Sequence, residues 1–143
     1  MTTTQPPSPA SMSRRNAREL AFQFLYGYTS SASKAAEFAK SEFTHFCANF
    51  GHAADDFAWE LIEGTGKNIP TIDETIAGLS TNWRIERMPR VDLTLLRLAA
   101  FEILHREDIP KTVSINEAVE LAKRFGAEDS ASFVNGLLDK LEK

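Results

Sequence analysis

The stretch VDLTLLRLAAFEILHR, Val91 to Arg106, decides how the rest of the chain is read. On a helix it is apolar almost all the way round, through Val91, Leu93, Leu95, Leu96, Leu98, Ala99, Ala100, Phe101, Ile103 and Leu104. A helix with so thin a polar stripe is buried, and other segments must wrap it. A bilayer crossing needs about 20 consecutive apolar residues, and Asp92, Arg97 and Glu102 interrupt this run. The stretch therefore predicts the central helix of a small helical domain. Arg97, the cation inside it, is expected to pair with Glu102 or Glu117 at the rim of the core.

Towards the C-terminus, Glu107, Asp108 and Pro110 predict a turn. Ser114 with Glu117 forms an S-x-x-E capping box that would start a helix through INEAVELAKRF. Lys123 and Arg124 complement the carbonyl end of that helix, and Gly126 is expected to end it in the left-handed conformation. Asp129 or Ser130 caps a final helix with Val134, Leu137, Leu138 and Leu141 facing inward. Gly136 reads as a place where a neighbouring helix approaches closely. Phe133 falls on the flank of the apolar face, as peripheral core or as a half-exposed ring for stacking.

Towards the N-terminus, Ser13 is the N-cap of a first helix, RRNARELAFQFLYGY, whose Ala17, Leu20, Ala21, Phe24, Leu25 and Tyr28 share one face. A second helix is expected over Lys34–Phe50, with Ala35, Phe38, Ala39, Phe43, Phe46 and Cys47 inward and Gly51 closing it. Pro70 divides the next region into Asp55–Asn68 and Thr71–Leu79, or kinks one continuous helix that would leave nearly the same pattern. Ser80 to Pro89 reads as a connector with one helical turn around Trp83. No segment alternates like a strand and none repeats. The class is all-α, a single compact domain of about seven helices.

The 143 residues suit one domain, 13–143, preceded by MTTTQPPSPASM. That opening, 1–12, has three prolines and neither a basic start nor an apolar core, so it reads as a disordered tail rather than a secretion signal. The expected location is the cytoplasm. The lone Cys47 fits a reducing compartment and a structural thiol. A formal net charge of −4 argues against a general polyanion binder and leaves any nucleic-acid contact to a local basic patch.

Chemistry is scarce. His45, His52 and His105 have no second ligand at metal spacing, and no phosphate loop, dinucleotide fingerprint or nucleophile elbow occurs. The acid pairs Asp55–Asp56, Glu107–Asp108 and Glu128–Asp129 fall at helix starts and turns, where capping explains them. Neither an enzyme, nor a metal, nor a cofactor is expected. The strongest positive signal is a stripe on the first helix, where Arg14, Arg15, Arg18, Phe22 and Tyr26 fall together away from the centre of the buried face. Arginines neutralise phosphates and rings stack on unpaired bases, the combination that binds single-stranded RNA. The alternative is a solvated arginine cluster beside aromatics that cap the edge of the core.

SRRNARELAFQFLY, RVDLTLLRLAAFEIL and DIPKTVSINEAVELAKRFGAEDSASFVNGLLDKL resemble the NusB family of bacterial transcription antitermination factors. The resemblance covers the first helix and nearly all of Val91 to Leu141. From Ser30 to Arg90 only helical character and length agree. It implies a non-catalytic RNA-binding factor of two packed helical subdomains. Such factors bind the boxA element of ribosomal RNA leader transcripts together with the small-subunit ribosomal protein NusE, and help load an antitermination complex onto RNA polymerase. By the same resemblance, Arg14, Arg15, Arg18 and Tyr26 map to the RNA face, Asp129 and Phe133 to last-helix positions that approach RNA, and Asp92 to the meeting point of RNA and protein partner. Asn16 stands where relatives carry a further basic residue, and Ala131-Ser132 where some have His-Lys, so weaker intrinsic RNA affinity is expected. Two alternatives remain: a domain of the kind fused to RNA cytosine methyltransferases, whose cofactor-binding domain is not found before Lys143, and a helical protein-binding or homodimer-forming module without intrinsic RNA binding.

Overall fold

The computed structural model describes residues 12–80 and 84–142. Among these, seven α-helices follow one another: α1 Arg14–Tyr26, α2 Lys40–Ala48, α3 Asp56–Lys67, α4 Ile69–Leu79, α5 Arg90–His105, α6 Lys111–Phe125 and α7 Ser130–Asp139. The all-α expectation holds. A 3-10 turn at Ile85–Arg87 follows α4. The turn expected around Trp83 lies outside the described residues, as does the tail expected over 1–12 except for Met12, which is half-buried against the core.

The central helix is α5. Every residue from Asp92 to Ile103 is buried, because α1, α3, α4, α6 and α7 all pack on it. α1 with α2 and α3 forms one packed group, and α5 with α6 and α7 forms the other. The two share a continuous core that includes Leu20, Phe24, Phe43, Leu61, Leu96 and Leu138. Burying residues of this size contributes roughly 1.5–3 kcal/mol each, which is why one nearly apolar helix organises the whole.

Local rules explain most boundaries. The Ser13 hydroxyl accepts the Asn16 N–H at 3.1 Å, and the Asp55 carboxylate accepts the Ala58 N–H at 2.9 Å, each satisfying an orphan donor of a first turn. α3 and α4 are separate helices. Pro70 sits in the first turn of α4, where its missing N–H has no helical partner to lose.

Four expectations about helix ends and glycine packing need correction. The second helix starts at Lys40, not Lys34: the segment before it is extended, the Ala36 N–H donates to the Gly66 carbonyl at 2.9 Å, and Ala35 and Ala39 are exposed. This strap inserts Phe38 edge-on against Phe24 and Tyr28, a contact that outweighs local helix propensity. α6 starts at Lys111, so Ser114 is no cap; it lies buried in the helix and donates to Glu102 at 3.0 Å. Gly126 has φ −96° and ψ −175°, an extended conformation, and glycine serves there because a Cβ would come 2.6 Å from the Ser130 side chain. Gly136 makes no close helix contact, since a Cβ there would meet nothing within 4 Å.

Among the described residues, two ion pairs lie inside the protein. Arg97 forms a two-pronged bond to Asp73 at 2.6 and 2.8 Å, not to Glu102 or Glu117, because its side chain points from α5 towards α4. Ser33 donates to the same carboxylate at 2.6 Å, tying the strap to the pair. The second pair, Arg18 with Glu102, joins α1 to α5.

Candidate nucleic-acid interface

α1 and α6 lie side by side, and their facing residues keep step: Arg15 bonds Glu117 at 3.1 Å, Arg124 bonds Glu19, and the Phe22 ring meets that of Phe125 at 5.2 Å. The partners are separated by 102, 105 and 103 residues, so the helices run parallel. Both C-termini therefore arrive at the same end of the molecule. The N-terminal turns of α5 and α7 arrive there too: Val91 shares a groove with Phe22, Tyr26 and Phe125, and Asp92 accepts a hydrogen bond from Ser130.

Tyr26 stands at the centre of this end. It is 36% exposed, and its ring is held rather than loose. The Arg90 guanidinium lies 4.5 Å from the ring centroid and donates to the Tyr26 carbonyl, while Phe22 packs 6.0 Å from its ring. A cation over one side of an aromatic ring fixes its plane and carries positive charge beside it. Arg124 lies 5.0 Å from the Phe125 ring, so a second exposed aromatic is paired with a guanidinium. Phe46 and Phe50 form the opposite wall of the groove. A guanidinium beside an exposed ring is the chemistry that holds a phosphate and stacks a base.

The five stripe residues separate. Arg15 and Tyr26 face solvent, the Arg15 side chain at 70% exposure. Arg14 is half exposed, but it stacks 4.4 Å from the Phe57 ring and pairs with Asp108 on the other flank of α1. Arg18 and Phe22 do not reach solvent, at 4% and 2% exposure. Arg18 donates to both oxygens of Glu102, at 2.8 to 3.0 Å, and Phe22 closes the core under Tyr26 and Phe125. The stripe on a helical wheel did not know that α6 and α5 would cover its edge.

The last-helix residues do gather near this end. Asp129 is exposed at the N-cap of α7, and Phe133 is half-buried one turn on. Asp92 is 3% exposed, so it presents no surface of its own. Its carboxyl takes a hydrogen bond from Ser130, whose hydroxyl also accepts the Ala127 N–H at 2.9 Å, while Oδ1 has no partner among the described residues. Burial pushes the Asp92 carboxyl above its ordinary value, the Ser130 bond opposes this, and the charge of Asp129 adds to it. Asp92 thus ties the start of α5 to the turn that presents Asp129.

Arg90, Arg124, Phe125 and Phe50 were missed as surface residues. The signal for Arg124-Phe125 was present as a cation and a ring ending α6, but helix-end complementarity accounted for it. Among the described residues no group of three or more His, Cys, Asp or Glu side chains could hold a metal, and no helix is long and apolar enough to cross a membrane. Burial pushes the Cys47 thiol up to about 11, so it is not a thiolate at neutral pH.

The NusB family model matches residues 15–143. The chain belongs to the NusB family. The transcription antitermination protein NusB of Desulfovibrio desulfuricans is 44% identical over 138 residues, which cover 91% of this chain and 84% of that one. NusB of a Geobacter species is 48% identical over 134 residues, 90% of this chain and 92% of the relative. Among solved structures, a crystal form of T. maritima NusB superposes with a TM-score of 0.73 at 31% identity, over 90% of this chain and 89% of the other. A chain in a crystal structure described as a plectonemic RNA supercoil superposes with a TM-score of 0.76 at 26% identity, over 88% and 91%. Like its NusB relatives, the protein is thus a member of a transcription antitermination family, with the two-subdomain helical fold of NusB.

Proposed function

We propose that this NusB-family protein binds single-stranded boxA RNA of ribosomal RNA transcripts together with ribosomal protein NusE, as part of an antitermination complex with RNA polymerase in the cytoplasm. The observation that carries the reading is Tyr26, a ring kept at the surface under the Arg90 guanidinium and beside Phe125. Arg15 supplies a phosphate contact, Tyr26 a base-stacking ring, and Arg124-Phe125 a second such pair. Phe133 and Asp129 flank them. Arg18, Phe22 and Asp92 act from below, by holding α1 and the start of α5 in place. Arg14, drawn onto Phe57, contributes less than Arg15 does.

The groove carries few cations, and those it has are partly balanced by Glu19 and Glu117. Weak binding by the isolated protein and a strong dependence on NusE follow from this, since phosphate neutralisation dominates affinity for nucleic acids. The test is fluorescence anisotropy with labelled boxA RNA and a scrambled RNA of the same length, with and without NusE. Preference for boxA that strengthens with NusE supports the reading. Equal binding of the two RNAs in the presence of NusE defeats it, and a mass of two chains in solution with no RNA binding would favour a homodimeric protein-binding module instead.

A further inference from the structure

Beside the Tyr26 groove lies a pocket between the last turn of α1 and the outer face of α2. Gln23 and Phe46 line both, so the two adjoin. Glu42, His45, Phe46 and the C-cap residue Asn49 reach the pocket together because they recur at the spacing of one helical face, while Phe43 and Cys47 turn the other way into the core.

The walls are aromatic and their planes are set. Tyr28 is 52% exposed, yet its ring lies edge-on to Phe38 at 5.0 Å and its hydroxyl donates to Glu42 Oε2 at 3.0 Å. Phe46 is held edge-on to Phe24 at 5.3 Å. Rings fixed in this way offer a base a stacking face at little entropic cost.

The polar groups around them are uncommitted. Glu42 Oε1 and the side-chain amides of Gln23 and Asn49 have no hydrogen bond among the described residues. No lysine or arginine lines the pocket, and the Glu42 carboxylate repels a phosphate. What fits is the edge of a base rather than the backbone that carries it. An ionised carboxylate only accepts, while an amide can donate. Cytosine and adenine each present an amino donor next to a ring acceptor, whereas uracil places a carbonyl where they have the amino group.

We infer that this pocket reads the base next to the one on Tyr26, with Glu42 accepting from the amino group of a cytosine or adenine, Gln23 and Asn49 donating to its acceptors, and the rings of Tyr28 and Phe46 flanking it. This rests on the RNA reading above and names a base preference within it. The residues that carry it come from α2, a part of the chain separate from the arginine and tyrosine positions of α1.

The experiment is fluorescence anisotropy of the full chain, with NusE, on cytidine and uridine oligomers of equal length, whose bases share a ring size and differ along the pairing edge. Wild type should bind the cytidine oligomer roughly fivefold or more tightly. Glu42→Gln, whose amide can serve either base, should erase that preference, and Asn49→Ala should lower the cytidine affinity more than the uridine affinity. Tyr26→Ala should weaken both oligomers and leave the preference in place. No preference in wild type, or one untouched by both α2 variants, overturns the inference, while the effect of Tyr26→Ala still reports on the RNA reading. Wild type that binds neither oligomer overturns it too, and boxA RNA then tests the RNA reading alone. If Glu42→Gln loses affinity for NusE with the base preference intact, the pocket serves a protein partner and the inference falls.

Discussion

Arg18 and Glu102 are 84 residues apart in sequence and meet inside the protein through three hydrogen bonds, with Ser114 donating a fourth to the same carboxylate. This knot joins α1, α5 and α6, the three helices that place Tyr26, Arg90 and Phe125 at one end.

Removing one partner leaves an uncompensated charge in the core. Arg18→Met should lower stability by about 3–5 kcal/mol, whereas Arg18→Met with Glu102→Leu should restore much of it, since an apolar pair of similar volume avoids the desolvation penalty. Urea unfolding of the two variants checks this. A single variant as stable as wild type would show that the pair contributes little.

Arg15 tests the opposite kind of arginine, exposed and bound to Glu117 at the surface. Arg15→Gln should weaken RNA binding and flatten the logarithmic salt dependence by about 0.7, the counterion release of one single-strand phosphate contact. Stability should change little, because solvent screens an ion pair as exposed as this one. Titrations at several salt concentrations decide it, and an unaltered slope would place Arg15 away from phosphate.

The two resolved aspartate shifts predict opposite pH behaviour. Hydrogen bonding and charge from Arg106 hold Asp108 at about 2, below its ordinary 3.8, so its stabilising effect is present above that ordinary value and is lost as pH falls towards 2. Asp92 is raised by burial, so the native state holds its proton longer than the unfolded chain, and its contribution is present at low pH and lost as pH rises through the native value. Asp108→Asn should therefore be less stable than wild type near neutrality and converge with it near pH 2. Asp92→Asn should gain on wild type as pH rises. Urea midpoints across this range measure both, and parallel curves for either variant would contradict the assignment.

Glycines separate crowded from open positions. A Cβ on Gly66 would lie 2.5 Å from the Ala36 carbonyl of the strap, while one on Gly136 would meet nothing within 4 Å. Gly66→Ala should destabilise by about 1–3 kcal/mol through overpacking, and Gly136→Ala should stabilise by about 0.5–1 kcal/mol through helix propensity. Thermal unfolding of both gives the signs.

What the sequence revealed divides along physical lines. α5 was legible because its apolar residues surround the helix, and α3 and α4 only in part, because Pro70 breaks or kinks a helix with nearly the same apolar pattern. The extended strap was not, because Ala35, Phe38 and Ala39 fit a helical face until Gly66 and Phe24 are seen to hold them otherwise. The same limit governs the site. Tyr26 and Arg15 could be placed from α1 alone, but the burial of Arg18 and Phe22 depends on Glu102 and Phe125, which arrive from other helices. Arg90 could not be foreseen beside Tyr26, since nothing local links residues 64 apart.

The most direct test of the account is the affinity of Tyr26→Ala for boxA RNA in the presence of NusE, in a variant shown to unfold at the wild-type temperature. Loss of a stacked base predicts binding weaker by about 1–3 kcal/mol, roughly five- to 150-fold. Wild-type affinity in the folded variant would contradict it.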